Sequence, residues 1–221
     1  MSDDSRPDNI ARAAALDTAT LSDALDRLGI AGQCHGLAPR STAFQFTGRA
    51  YTLRYGPAAT PPGTVGDYID DVPPGNVVVL DNGGRTDCTV WGDILTEIAH
   101  RRGIAATVID GICRDAQLCL ALGYPVFSKG HWMRTGKDRV QVEAVNVPVT
   151  IGQARVQPGD LLRGDTDGVI VIPRQHEEQV LTAAEAIHAA EAQIREAVRA
   201  GMRLDAARRQ FRYHQLQSKP T

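Results

Sequence analysis

An arginine followed at once by an aspartate, Arg114-Asp115, closes the run Val108-Ile109-Asp110-Gly111-Ile112-Cys113. Arginine presents a planar fork of N–H donors that grips carboxylates, each charged hydrogen bond contributing roughly 1.5 to 3 kcal/mol. Aspartate is a hard oxygen ligand for a magnesium-like ion that keeps most of its waters and takes other ligands from substrate. Upstream, Gly92, Asp93, Ile94 and Leu95 open a stretch with helical spacing, and the free amides of a helix start suit a carboxylate or phosphate. Together, a cation, an arginine and such amides would hold a 2-oxo acid, polarise its carbonyl and stabilise an enolate. A surface Arg-Asp pair that merely caps a helix accounts for the same two residues, and spacing alone favours that plainer account.

No side chain stands out as a general base. A water activated beside the cation is the economical choice, with Asp165, Asp167 or Asp23 as supporting carboxylates; each also reads as an ordinary turn or cap residue. Arg85 either reaches a second substrate carboxylate or is simply solvated. Asp165-Thr166-Asp167-Gly168 echoes a calcium loop but lacks the glutamate required at its twelfth position. His176-Glu177-Glu178 lacks HExxH spacing and suits a helix start, where acidic side chains favour the dipole. Lys129, His131 and Lys137 add local positive charge without a motif.

The elements that must position these residues read as an α/β pattern. Leu21, Ala24, Leu25 and Leu28 recur at helical spacing, with Thr18 and Thr20 as caps and Gly29 as the stop. Phe46 to Tyr55 has the aromatic and β-branched character of a strand. After the turn Pro73-Pro74-Gly75-Asn76, the continuous apolar run Val77-Val78-Val79-Leu80 suits a strand buried on both faces. A loop from Asp81 to Gly92, a helix from Trp91 to Arg102, a strand from Ala105 to Ile109 and a helix from Asp115 to Leu122 complete a βαβα grammar. In such sheets ligands bind beyond the carboxyl ends of the strands, where both candidate segments fall. Gly56 to Gly66, with Pro57, Pro61 and Pro62, is either a pocket wall or a surface connection. Val140 to Pro173 breaks into short strands, and a C-terminal helix carries Ile187, Ala190, Ile194 and Val198 on one face, with Glu191 placed to pair with Arg195. That stripe needs the domain or a neighbouring subunit to pack on. The expected organisation is one domain over 1–173, including the N-terminal helix, and a helical extension over 174–221.

Composition bounds the function. The 221 residues carry a formal net charge of −2, so no basic footprint invites nucleic acid. No apolar run approaches the roughly 20 residues of a membrane helix, and Met1 to Ile10 lacks a secretory pattern, so a cytoplasmic setting is expected. Cys34, Cys88, Cys113 and Cys119 form no CxxC pair and read as small buried hydrophobes rather than disulfides or zinc ligands. No GxGxxG fingerprint supports a nucleotide-dependent methyltransferase.

Five blocks carry a resemblance: Pro74-Gly75-Asn76-Val77-Val78-Val79-Leu80-Asp81, Val90-Trp91-Gly92-Asp93, Val108 to Asp115, Gly123-Tyr124-Pro125-Val126-Phe127, and Pro158-Gly159-Asp160 to Asp167-Gly168-Val169. In this order they resemble the RraA-like family, which includes class II 4-hydroxy-4-methyl-2-oxoglutarate/4-carboxy-4-hydroxy-2-oxoadipate aldolases. The resemblance implies a β/β/α swivelling-type domain assembled as a homotrimer or homohexamer, with its site near a subunit boundary and a Mg2+ or Mn2+ ion. It implies that Arg114 grips substrate, that Asp115 holds the metal, and that the loop Gly92 to Leu95 receives the pyruvate carboxylate. The implied reaction is retro-aldol cleavage of a small 4-hydroxy-2-oxo acid to pyruvate, with oxaloacetate decarboxylation beside it. The family's namesake implies the alternative, a noncatalytic protein that binds and regulates a ribonuclease. The aldolase pattern has a glycine where Asp93 stands and an acidic residue where Leu118 stands. A carboxylate at Asp93 would repel a substrate carboxylate unless it turns away or joins the metal's surroundings.

Overall fold

The computed structural model describes residues 8–213; the expectations for 1–7 and 214–221 lie outside them. Two helices, α1 (Asn9–Ala14) and α2 (Thr18–Leu28), lead into a short strand β1 (Ala38–Pro39) and a long one, β2 (Phe46–Pro57). A 3-10 turn at Asp67–Asp71 precedes β3 (Asn76–Thr89), α3 (Asp93–Arg101), β4 (Ala106–Cys113), α4 (Ala116–Leu122) and β5 (Val126–His131). Then follow β6 (Val140–Val145), β7 (Val149–Ile151), β8 (Ala154–Val156), β9 (Leu161–Asp165), β10 (Gly168–Ile172), α5 (Glu177–Arg199) and α6 (Leu204–Gln210). The main sheet runs β1-β5-β4-β3-β2-β9-β10, with β6 also paired to β2. Its centre, β2 to β5, is parallel, and its flanks are antiparallel.

The crossovers β3-α3-β4 and β4-α4-β5 step in the same direction. Right-handed connection therefore puts both helices on one face, where α3 and α4 meet. The β7–β8 hairpin packs against β2, β3 and β4, and Asp81, midway along β3, accepts a hydrogen bond from the hairpin's Thr150 amide at 3.1 Å. Helices, main sheet and hairpin are the α, β and β layers of the expected fold. Val77, Val78, Val79 and Leu80 are fully buried, which is why that run shows no alternation.

A second core holds α1, α2 and α5 together with Leu161, Ile170 and Ile172. Asp17, rather than Thr18 or Thr20, caps α2, accepting from the Thr20 amide at 2.7 Å, and Gly29 ends the helix in the left-handed region at φ 69°. The buried guanidinium of Arg163 donates to the carbonyls of Leu16, Phe46 and Gly164 and to Gln45. Ile187, Ala190 and Ile194 are buried within the chain itself while Val198 is exposed, and Arg195 pairs with Glu191 at 3.2 Å.

The strands reach further than their apolar runs. Residues Asp81 to Thr89, expected as a loop, continue β3 through two bulges: Asp81 faces Asp110, Arg85 faces Gly111 and Thr89 faces Ile112, so four residues of β3 pass for each one of β4. Gly83 and Gly84, at φ 60° and 70°, supply the turns that these excursions need. Likewise β4 extends to Cys113 and delivers Arg114 directly from the sheet. The helix expected from Trp91 begins at Asp93.

Candidate active site

Trp91, just after β3, is fixed before it can present anything. Its backbone amide donates to Thr89 Oγ1 at 3.1 Å and its indole donates to Thr96 Oγ1 at 2.9 Å. Its ring stacks on Tyr124, 6.2 Å between centroids, and the tyrosine hydroxyl is 2.9 Å from Thr107 Oγ1. The Trp91 carbonyl then accepts the Arg114 amide at 2.9 Å, tying the ends of β3 and β4 together.

This clamp brings Gly92 against the Arg-Asp pair. A Cβ on Gly92 would stand 2.8 Å from Asp115 Oδ2 and 3.2 Å from Arg114 Nε, so only glycine fits without displacing them. Asp115 takes the left-handed conformation, φ 55°, at the start of α4; holding a non-glycine residue there costs on the order of 1 kcal/mol. In that conformation Asp115 Oδ2 accepts from the Asp93 amide at 3.2 Å and faces Arg114 Nε at 3.2 Å. Its Oδ1 and the two terminal nitrogens of Arg114 have no partner among the described residues. Both side chains are about two-fifths exposed, 39% and 40%.

The cleft beside them has a volume of about 440 Å³. Gly92, Asp93, Ile94, Leu95 and Arg114, all expected in the site, line it, and Asp115, outside the lining, packs against Gly92. The helix-start amides are partly satisfied from within: the Asp93 amide by Asp115, and the Ile94 amide by Asp93 Oδ1 at 2.8 Å. Any anion entering this cradle would compete with the Asp93 side chain for the Ile94 amide.

Other expected residues are placed elsewhere. Asp165 accepts from Thr18 and from the Asp167 amide and acts as a cap. Asp167 lines a separate cleft with His35 and Ser22, and Asp23 lines neither. Arg85 is held by both carboxylate oxygens of Asp87 at 2.8 Å and does not line the cleft. The Gly56 to Gly66 connection contributes Val65 and Gly66 to the wall, and the 3-10 turn adds Asp67, Ile69 and Asp70. Sequence reasoning missed that turn and the strap Thr135-Gly136-Lys137. The signal available was Gly136: a Cβ there would be 2.4 Å from the Thr89 carbonyl, marking a close backbone approach.

Among the described residues, no three His, Cys, Asp or Glu side chains converge as a metal cage. The donor set at Asp115, one engaged oxygen and one open, suits a hard cation bound through a single carboxylate and otherwise by water and substrate. All four cysteines are buried and unpaired, and burial pushes the Cys34 thiol to about 12 and the Cys119 thiol to about 11. No helix among the described residues is long and apolar enough to cross a membrane.

The chain is a three-layer β/β/α domain with a strand-end cleft lined by Gly92 and Arg114, with Asp115 packed behind Gly92. Residues 18–171 match the RraA-like family, described as Aldolase/RraA, and the chain belongs to that family. Protein DlpA of Legionella pneumophila is 37% identical over 96% of this chain, which spans only 35% of that longer protein. A protein of Halalkalibacterium halodurans named "Putative 4-hydroxy-4-methyl-2-oxoglutarate aldolase" is 35% identical over 79% of this chain and 80% of its own length. Among solved structures, an uncharacterized protein from Pseudomonas syringae superimposes with a TM-score of 0.85 at 43% identity, covering 90% of this chain and 96% of that one. Streptomyces coelicolor RraAS2, described as an unusual member of the RNase ES inhibitor RraA protein family, gives 0.75 at 29% identity over 85% and 96%.

Proposed function

We propose that this protein is a divalent-cation-dependent lyase that cleaves a small 4-hydroxy-2-oxo acid to pyruvate or a close analogue by a retro-aldol step, and that decarboxylates oxaloacetate at the same site. The observation that carries the reading is the open Arg114 fork and the open Asp115 oxygen, fixed beside one cleft by the Gly92 approach. Mg2+ or Mn2+ held by Asp115 would supply Lewis-acid polarisation of the 2-oxo group.

The remaining work falls to the chain. Arg114 binds the oxo-acid end and offsets negative charge as it develops on the enolate oxygen. The amides at the start of α3, those of Leu95 and, once Asp93 turns from it, Ile94, receive the substrate carboxylate. Cleavage requires a base to take the proton from the C4 hydroxyl; the C3–C4 bond then breaks, leaving a carbonyl compound and the enolate, which is protonated at C3 to pyruvate. Of the three cleft carboxylates, Asp70 is engaged by Arg102, at 3.6 Å, and Asp67 stands on the 3-10 turn of the wall, whereas Asp93 is the one joined to Asp115 by a backbone hydrogen bond. Asp93 is therefore assigned the proton, directly or through one water. That role explains a carboxylate where the family pattern has glycine, at the cost of competition for the cradle. The name of the Halalkalibacterium relative supports the same reaction class.

A second reading, a noncatalytic regulator that binds a ribonuclease, draws on the description of the Streptomyces relative and on the exposed apolar side chains Ile94 and Met133, 71% and 72% accessible. Those side chains equally support assembly as a homotrimer or homohexamer, and the reading places the protein in the cytoplasm with no nucleic-acid or membrane partner. The deciding experiment is pyruvate release from 4-hydroxy-4-methyl-2-oxoglutarate and from oxaloacetate, with Mg2+ or with chelator, in the parent and in Asp115→Asn. Cation-dependent turnover that disappears in the variant supports the lyase. Absence of turnover together with absence of Mg2+ binding favours the regulator.

A further inference from the structure

We infer that the cleft contains an apolar lobe between α3 and the 3-10 turn, so that its preferred 2-oxo acid carries an uncharged, apolar tail in place of a second carboxylate. The inference rests on the reading of the cleft as an oxo-acid site and narrows its substrate class. Val65, Ile69, Val90, Leu95 and Ile98 all line the cleft. Ile69 and Val90 belong to the main core, and Val65, Leu95 and Ile98 pack on it while remaining half-buried, which leaves part of each available to a ligand.

Contacts set the two walls of the lobe against each other. Leu95 and Ile98 are three residues apart on α3 and so share one face of it. A Cβ on Gly66 would stand 3.0 Å from Leu95 Cδ2 and 3.2 Å from Leu95 Cδ1, so the chain at Val65-Gly66 runs directly against that face. The Val65 carbonyl accepts from the buried Tyr55 hydroxyl at 2.7 Å, and Arg102, at the end of α3, donates to the Asp70 carbonyl at 2.6 Å. The outer wall is thereby pinned from the sheet at one end and from α3 at the other. At 1.5 Å per residue, Leu95 and Ile98 lie about 4.5 and 9 Å along the helix from Gly92, the residue packed on Arg114 and Asp115. A ligand whose oxo-acid end sits at Gly92 would lay its next few carbons over Leu95 and then Ile98. In the proposed cleavage, the carbonyl compound released then carries the apolar tail.

The charges around the lobe oppose a tail carboxylate. Asp67 and Asp70 stand on the turn and line the cleft. The guanidinium of Arg102 is spent on the Asp70 side chain and on the carbonyls of Asp70 and Val72. The two cations that line the cleft stand on neither wall of the lobe: Arg114 follows β4, and Lys137 is on the strap that bridges to Thr89. A carboxylate entering beside Asp67 and Asp70 meets like charge, whereas an alkyl chain gains about fourfold in affinity for each methylene it buries.

The test is calorimetric binding of pyruvate, 2-oxohexanoate and 2-oxoadipate, in Mg2+, to the parent protein and to Ile98→Asn and Ile98→Phe, with the fold of each variant checked by its melting temperature. The parent should bind 2-oxohexanoate at least about tenfold more tightly than pyruvate, and about tenfold more tightly than 2-oxoadipate, which has the same number of carbons. Ile98→Asn makes the lobe polar and Ile98→Phe fills it, so each should bring the ratio of 2-oxohexanoate to pyruvate affinity to within about threefold of one. The ratio is read within each variant, so a general weakening leaves it unmoved. Equal or tighter binding of 2-oxoadipate by the parent, or a ratio that survives both substitutions, overturns the inference. Binding of pyruvate with no gain for the longer tail removes the lobe and leaves the oxo-acid site standing; binding of none of the three acids overturns both.

Discussion

Arg49 and Glu177, 128 residues apart, meet where β2 passes under the start of α5, and Arg114 and Asp115 are neighbours at the end of β4. The chemistry of the two pairs is the same and their surroundings are opposite. The Glu177 side chain is 6% exposed, both its oxygens are taken by Arg49, and Asn9 donates to it at 3.0 Å. Every strong group there is satisfied by the chain, and the carboxylate strengthens the charged state of Arg49. At Arg114-Asp115 a single nitrogen meets a single oxygen, both side chains are about two-fifths exposed, and Arg114 lines a cleft. A polar pair that exhausts its hydrogen-bonding capacity internally joins elements; one held rigid with capacity to spare is equipped to bind something else.

The sharpest way to break this comparison is to remove one arginine or acid from each pair. Arg114→Ala should lower kcat/KM for pyruvate release by about a thousandfold, through loss of charge stabilisation in the transition state, with Tm moving by no more than about 2 °C. Glu177→Ala should do the reverse. Leaving a partly buried guanidinium without its partner costs about 3 kcal/mol, a fall in Tm of about 6 to 12 °C, while kcat/KM at a permissive temperature stays within about twofold. Parallel losses of stability and turnover in both variants would erase the distinction.

Two further variants sharpen it. Gly92→Ala pushes a methyl group into Asp115 Oδ2 and Arg114 Nε, so kcat/KM should drop about tenfold with little change in melting, read by the same two assays. Ile194→Asp buries a charge against α6 and should lower Tm without changing the elution volume of the folded protein, because Ile194 packs within the chain. The smallest effect concerns the thiols. With Cys34 raised to about 12 and Cys119 to about 11, both stay protonated at pH 8, and iodoacetamide should label neither in the folded protein within the time that labels both in denaturant.

How legible the site was in the sequence depends on how local each part is. Gly92 to Leu95 and Arg114-Asp115 sit where a glycine loop and a buried strand end announce them, and the structure gathers them about one cleft. Asp23, Asp165 and Arg85 were credible by type alone and are committed elsewhere or lie off the cleft. Lys137 and Asp67 came into the cleft from segments without a motif. The loop expected between Asp81 and Thr89 is a bulged strand because pairing with β4 resumes at Gly111 and Ile112, a nonlocal event with no periodic trace.

By itself the sequence determined the βαβα core, since Val77 to Leu80 and the strand from Ala106 carry too many β-branched and apolar side chains to rest anywhere but inside a sheet. It also determined that glycine, arginine and aspartate would stand at the ends of those strands. Tertiary structure alone decided what the polar side chains do there. Asp115 in its left-handed turn, Asp93 on the Ile94 amide, Arg85 on Asp87 and Lys137 on its strap are placed by contacts between segments distant in sequence. A carboxylate or a guanidinium is a cap, a clasp or a ligand according to which of its donors and acceptors the rest of the fold leaves free.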